Sequence, residues 1–124
     1  MGVLLLDYII TAKRAAGTLP ENAAAIKTIV TTEMARQVAE QNGVHMDETF
    51  TGFKFMAEKL AEYDKNNSYT YLLAYEESYG YMMGDYVRDK DAVTASMMIA
   101  EMAAHYFEQG MSLSDAIDSL YEKY

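Results

Sequence analysis

Residues 69–93 run YTYLLAYEESYGYMMGDYVRDKDAV. The apolar run 71–75 predicts a buried strand, being short, aromatic-rich and bounded by polar residues. It ends directly on Glu76, Glu77 and Ser78. Gly80 and Gly84 follow, and then the charged group Arg88, Asp89, Lys90, Asp91. In an open α/β sheet, ligands bind beyond the carboxyl ends of the strands. Two carboxylates and a hydroxyl at such an end suit a ligand with several hydroxyls. A carboxylate accepts hydrogen bonds, and a serine both donates and accepts.

Outward from this stretch, apolar spacing alternates between helix and strand. Residues 3–16 predict a helix, closed by Gly17 and kept from continuing by Pro20. Residues 24–30 predict a strand that carries Lys27 and Thr28. Thr31 or Thr32 is placed to cap a helix reaching Glu40, with Met34 and Val38 inward and Gly43 after it. Residues 44–50 alternate weakly as a strand. Thr51-Gly52 turns the chain into a helix whose Phe53, Met56 and Leu60 share one face. A polar loop, 64–68, leads to the strand 69–75. Beyond the charged group, residues 89–109 predict a long helix with Val93, Met97, Ala100 and Ala104 along its apolar stripe, closed by Gly110. Ser112-Leu113-Ser114-Asp115 resembles a capping box that opens a last helix, with Ile117, Leu120 and Tyr121 as its apolar side. This alternation predicts an α/β sheet covered by helices on both faces.

Three strings carry a family resemblance. Glu76-Glu77-Ser78-Tyr79-Gly80, followed by Arg88-Asp89-Lys90-Asp91-Ala92, resembles the sugar-binding loop of the α-D-phosphohexomutases, the phosphoglucomutases and phosphomannomutases. The segments 49–55, TFTGFKF, and 27–32, KTIVTT, are similar to two further signatures of that family. Their order and spacing are those of the third of the family's four domains, and the resemblance covers residues 2–124. It implies a mixed sheet of about four strands sandwiched between helices, with residues 1–124 as one domain. Met1-Gly2-Val3 leads at once into an apolar segment, and the chain stops at Glu122-Lys123-Tyr124. Beside the family this looks like an excised domain given an initiator methionine.

The resemblance also implies roles for particular residues. Glu76 and Ser78 would contact sugar hydroxyls and hold the sugar in either of two orientations, while Glu77 would support the backbone. Lys90 would lie near the substrate phosphate, where a lysine neutralises charge or takes part in proton transfer. Arg88 is the alternative phosphate contact. Thr51 and Gly52 would line the cleft at a helix start, where backbone N–H groups favour anionic oxygens. Against these stand plainer readings: a polar turn, a solvated lysine, a threonine helix cap. Tyr75, Tyr79 and Tyr81 could stack on a sugar or wedge the loop onto its core. Glu58, Glu62 and Asp64 read as a solvated helix face.

For the whole enzyme the resemblance implies interconversion of glucose 1-phosphate and glucose 6-phosphate through glucose 1,6-bisphosphate, with Mg2+. The family's phosphoserine loop, its Asp-x-Asp-x-Asp metal loop and its distal-phosphate loop have no counterpart string in this sequence. The chain alone is therefore expected to be inactive, with sugar recognition as its part. The same loop would serve a phosphomannomutase or a phosphopentomutase. A stand-alone carbohydrate- or protein-binding module is the reading from another class.

Composition bounds these readings. A chain of 124 residues with 51% hydrophobic residues is long enough for one folded core. Its net charge of −9 and lack of a basic patch disfavour nucleic acid and anionic membranes as partners. A sugar phosphate and the other three domains of the parent chain are the expected partners, with self-association of the exposed surfaces as a further expectation. The absence of cysteine excludes a disulfide and a thiolate zinc site, and fits a cytoplasmic protein.

Overall fold

The computed structural model describes all residues, 1–124. Its elements in chain order are α1 (Gly2–Ala15), β1 (Ala23–Thr28), α2 (Met34–Gln41), β2 (His45–Thr49), α3 (Phe53–Asn66), β3 (Thr70–Tyr75), β4 (Tyr81–Met82), α4 (Ala92–Glu108) and α5 (Leu113–Lys123). The four strands form one sheet in the order β2-β1-β3-β4. Strand β1 pairs in parallel with β2 and with β3, and β4 returns antiparallel to β3. The mixed α/β architecture read from the sequence is the one observed.

Central β1, AAAIKT, is buried at every position. Its small residues let helices approach both faces, and period-two alternation divides its side chains between two cores. Ala24 and Ile26 join Ala74, Met82 and the inner face of α3, namely Phe53, Met56, Leu60 and Tyr63. Ala23 and Ala25 face the larger core, built with α1, α2, α4 and α5 and centred on Leu5, Leu6, Ile10, Val38, Leu73 and Met102. One helix therefore covers one side of the sheet and four cover the other.

The sequence reading is corrected in several places. Residues 81–82, read as loop, pair with β3 as the short fourth strand. Strand β1 ends at Thr28, so Ile29 and Val30 lie exposed in the following turn. Helix α2 begins at Met34 with Glu33 in the cap position, and neither Thr31 nor Thr32 is the cap residue. The Thr32 hydroxyl still accepts the Met34 N–H at 3.3 Å.

The largest departure is in α4. Its expected inward stripe points outward, with Val93 and Met97 81% and 59% exposed. The buried residues are Ala95 and Met102, with Met98, Ile99 and Tyr106 packed beside them. This helix is apolar on both sides, so periodicity alone could not choose between them. In α5, Leu120 is buried but Tyr121 is exposed, and Ala116 supplies the other inward contact. The capping box of α5 is present, Ser112 and Asp115 exchanging hydrogen bonds.

Candidate functional site

Strands β1, β2 and β3 run parallel, so their carboxyl ends share one edge of the sheet. The turns 29–33, 50–52 and 76–80 leave from that edge. One carboxylate links all three. Glu77 Oε2 accepts the Thr28 hydroxyl from the end of β1 at 2.7 Å, and Oε1 accepts the Thr51 hydroxyl from the turn after β2 at 3.5 Å. Thr28 and Thr31 also share a hydrogen bond between their hydroxyls at 2.7 Å. The Thr28 hydroxyl, more than any other group, holds the Glu77 carboxyl below the ordinary glutamate range. Glu77 is thus occupied as a strut.

Glu76 differs. Its Oε1 accepts the Ser78 hydroxyl at 2.8 Å, while its Oε2 is buried with no hydrogen-bond partner. A buried carboxylate oxygen without a donor is costly. This one belongs to a residue lining a hollow of about 330 Å³, together with Thr31, Thr32, Tyr75, Glu77 and Tyr79. Tyr75, whose buried hydroxyl is also without a partner, lines the same space. A second hollow, of about 410 Å³, lies beside Ser78, Tyr79, Gly80 and Lys90. The loop 76–80 is therefore a rib between two concavities.

The rib is fixed at its base. The Glu76 N–H donates to the Gly80 carbonyl at 3.0 Å. Tyr75 and Tyr81 are buried on either side of it with their rings stacked, centroids 6.4 Å apart. Gly80 lies so close to α3 that a Cβ there would come within 2.5 Å of the Phe53 ring and 3.0 Å of Glu76 Oε1. Only glycine permits that approach.

Lys90 returns to this edge after the excursion 83–89, because the Asp91 N–H donates to the Tyr81 carbonyl at 3.0 Å. Its ammonium stands 4.9 Å from the centroid of the Phe53 ring and 3.1 Å from Asp89 Oδ1. Asp91 caps α4, accepting the N–H groups of Val93 and Thr94. Gly52, at φ 124°, is the cap residue of α3, and Thr51 precedes it without capping. The sequence reading left open whether Thr51 caps the helix or faces the cleft; its hydroxyl goes to Glu77.

Arg88 is not brought into this group. It pairs with Asp64 at 2.6 Å, beside Tyr69, Thr70 and Tyr71 at the opposite, amino end of β3. Asp64 stays exposed on the solvated face expected for it, and there it holds Arg88.

Sequence reasoning missed the foundation beneath the edge. Lys27, in β1, is fully buried and lies 2.8 Å from Glu33 Oε1 and 2.6 Å from Glu48 Oε1. It also donates to the Thr31 carbonyl at 3.1 Å. Arg36 completes the network, 2.8 Å from Glu48 and 3.3 Å from Glu33. The available signal was a lysine inside an otherwise uncharged strand. Its partners come from separate elements and no spacing rule names them.

Lys27 first, then Arg36, lowers the Glu48 carboxyl below its ordinary value of 4.5. Glu48 and Glu77 thus hold fewer protons in the folded than in the unfolded chain. Their stabilisation is complete above the ordinary value and is lost as pH falls through the depressed folded values. Stability should therefore decline below about pH 4.5, the ordinary glutamate value. Glu48→Gln should lower stability at neutral pH and flatten this acid limb. Denaturant titrations at stepped pH would show it, and an acid limb of unchanged steepness would remove Glu48 from the account.

The carboxyl-edge loops of this mixed α/β sheet place one unpartnered carboxylate oxygen, Glu76 Oε2, on the central rib. Comparison with known proteins supplies the family. The model of the phosphoglucomutase/phosphomannomutase alpha/beta/alpha domain III matches residues 1–124. The chain is 33% identical over 123 residues to a phosphoglucomutase of Staphylococcus haemolyticus, covering 99% of this chain and 21% of that protein. It is 34% identical over 122 residues to a phosphoglucomutase of Staphylococcus aureus, covering 98% and 21% respectively. Among solved structures, one from Thermus thermophilus described as a phosphomannomutase superposes with a TM-score of 0.69 at 19% identity, over 95% of this chain and 24% of that one. The open form of parafusin, a phosphoglucomutase from Paramecium, gives 0.67 at 20% identity, over 99% and 20%. The chain belongs to the phosphoglucomutase/phosphomannomutase family and corresponds to its domain III. It spans about a fifth of the length of the curated relatives it matches.

Proposed function

We propose that residues 1–124 form a single domain, the third of a four-domain enzyme, which recognises the sugar of a hexose phosphate. The parent enzyme interconverts glucose 1-phosphate and glucose 6-phosphate through the 1,6-bisphosphate. The observation that carries this reading is the free Glu76 Oε2 on a rib between two hollows. A hydroxyl donor from a sugar would satisfy it, and Ser78 would supply a second contact to a neighbouring hydroxyl. Lys90 is the one cation of the group and would face the phosphate; Thr51 and Gly52, which line neither hollow, would border the cleft from the start of α3. Arg88 is left out, being paired with Asp64.

The chemistry of phosphoryl transfer is assigned to the rest of the parent chain. No three His, Asp or Glu side chains converge here to hold a divalent ion. The residues of this chain do not fit the Mg2+ of the parent reaction, and none of them is given a role toward it. No helix is long and apolar enough to cross a membrane.

The test is titration of glucose 6-phosphate and glucose 1-phosphate into the labelled chain, followed by amide NMR. Shifts should gather at 51–54 and 76–90, with millimolar affinity because few phosphate contacts are present, on the order of 4 kcal/mol of binding. Glu76→Ala should weaken binding at least tenfold while leaving the thermal midpoint near that of the parent. Binding undisturbed by Glu76→Ala, or shifts centred elsewhere, would overturn the assignment.

A further inference from the structure

Three tyrosines flank or crown the rib, and the structure separates their roles. Tyr75 and Tyr81 are wedges, 3% and 8% exposed. Tyr79, between Ser78 and Gly80, is 81% exposed. Its backbone lies at φ 62°, in the left-handed region. An aromatic residue there carries strain that glycine or asparagine would relieve. An exposed ring offers no packing in return. Strain held at a ligand-facing turn is commonly part of how the turn works.

Tyr79 borders both hollows, the one with Glu76 and the one with Ser78 and Lys90. Its base is immobilised by the Glu76–Gly80 hydrogen bond, the two wedges and the Gly80–Phe53 contact. The backbone that carries the ring is thus held in place, and the ring opens onto the hollow that Glu76 also lines.

We propose that Tyr79 is a sugar-contacting, specificity-determining residue: its ring packs against the C–H face of the pyranose whose hydroxyls meet Glu76 and Ser78. This rests on the reading of the rib as a sugar site and adds a selection rule to it. A pyranose with equatorial hydroxyls offers a flat apolar face, which an aromatic ring covers well. An axial hydroxyl interrupts one such face and leaves a polar group against the ring without a partner. The contact therefore favours a glucose-type over a mannose-type hexose phosphate.

Glucose 6-phosphate and mannose 6-phosphate, titrated separately into the wild-type chain, Tyr79→Phe and Tyr79→Ala, test this. Tyr79→Phe keeps the ring and should keep both affinities within twofold. Tyr79→Ala should lose about tenfold for glucose 6-phosphate, the scale of one good aromatic contact. It should lose much less for mannose 6-phosphate, so the preference collapses. Tyr79→Asn, which relieves the backbone strain, should be at least as heat-stable as wild type and still lose the preference; a purely structural role for Tyr79 would not produce that split. If wild type and Tyr79→Ala bind both sugars alike while Glu76→Ala does not bind, the role of Tyr79 is refuted and the site stands. If the wild-type chain binds neither sugar, the site reading and the role of Tyr79 fall together.

Discussion

Lys27→Ala should destabilise the folded chain by roughly 2–5 kcal/mol, the usual cost of cutting a large, fully buried side chain back to alanine. The total stability of a domain is about 5–15 kcal/mol, so much of the chain would unfold under mild denaturant. The cause is specific. Removal of the ammonium leaves Glu48 and Glu33 with Arg36 alone, and takes a donor from the Thr31 carbonyl. A cavity is added where the lysine stem was fully buried. Lys27→Met fills that space without charge and should cost less. Lys27→Met with Glu48→Gln, which also removes the carboxylate that has lost its lysine, should recover a further part. Urea denaturation of the variants would measure this series. A cost below about 1 kcal/mol for Lys27→Ala, the level of an exposed pair, would mean the network contributes no more than a surface bridge. Hydrogen exchange should also show residues 29–33 opening first, since the lysine holds that turn.

Gly80→Ala is the second large effect, and it separates folding from recognition. The new methyl would meet the Phe53 ring at 2.5 Å, and Phe53 is buried in the core under α3. Overpacking of this kind costs roughly 1–3 kcal/mol. The cheaper escape is movement of the rib, which carries Glu76 and Ser78 away from their present geometry. Sugar phosphate binding by Gly80→Ala should therefore fall at least tenfold while most of the stability remains. Unchanged affinity would show that the rib tolerates displacement and does not depend on its close seat against α3.

The sequence made the central strands and the rib legible, because β3 is an unbroken apolar run that stops on Glu76. It also separated Glu77 from Glu76 in kind, and the hydroxyls of Thr28 and Thr51 explain why Glu77 is the support. What was not legible depended on contacts between distant elements. Arg88 reads as part of the charged group around Lys90, yet Asp64, twenty-four residues away, draws it to the other end of the sheet. Strand β4 has only two residues and exists through its pairing with Ala74 and Tyr75. The face of α4 was misread because both of its sides are apolar. Lys27 escaped notice because its partners come from two other elements, Glu33 and Arg36 from the start of α2 and Glu48 from β2.

The outward stripe of α4 has a consequence for handling. Val93, Met97 and, near the helix end, Phe107 at 80% exposure present an oily surface to solvent. At neutral pH, mutual repulsion from a net charge of −9 opposes contact between copies. Near the isoelectric point of about 4.5 that repulsion vanishes while the surface remains. The chain should turn cloudy there well before it unfolds, and faster at higher concentration; at neutral pH, added salt should favour the same association by screening the repulsion. Colloidal stability and conformational stability would then fail at neighbouring pH values for unrelated reasons, one on the outside of a helix and the other beneath the edge of a sheet.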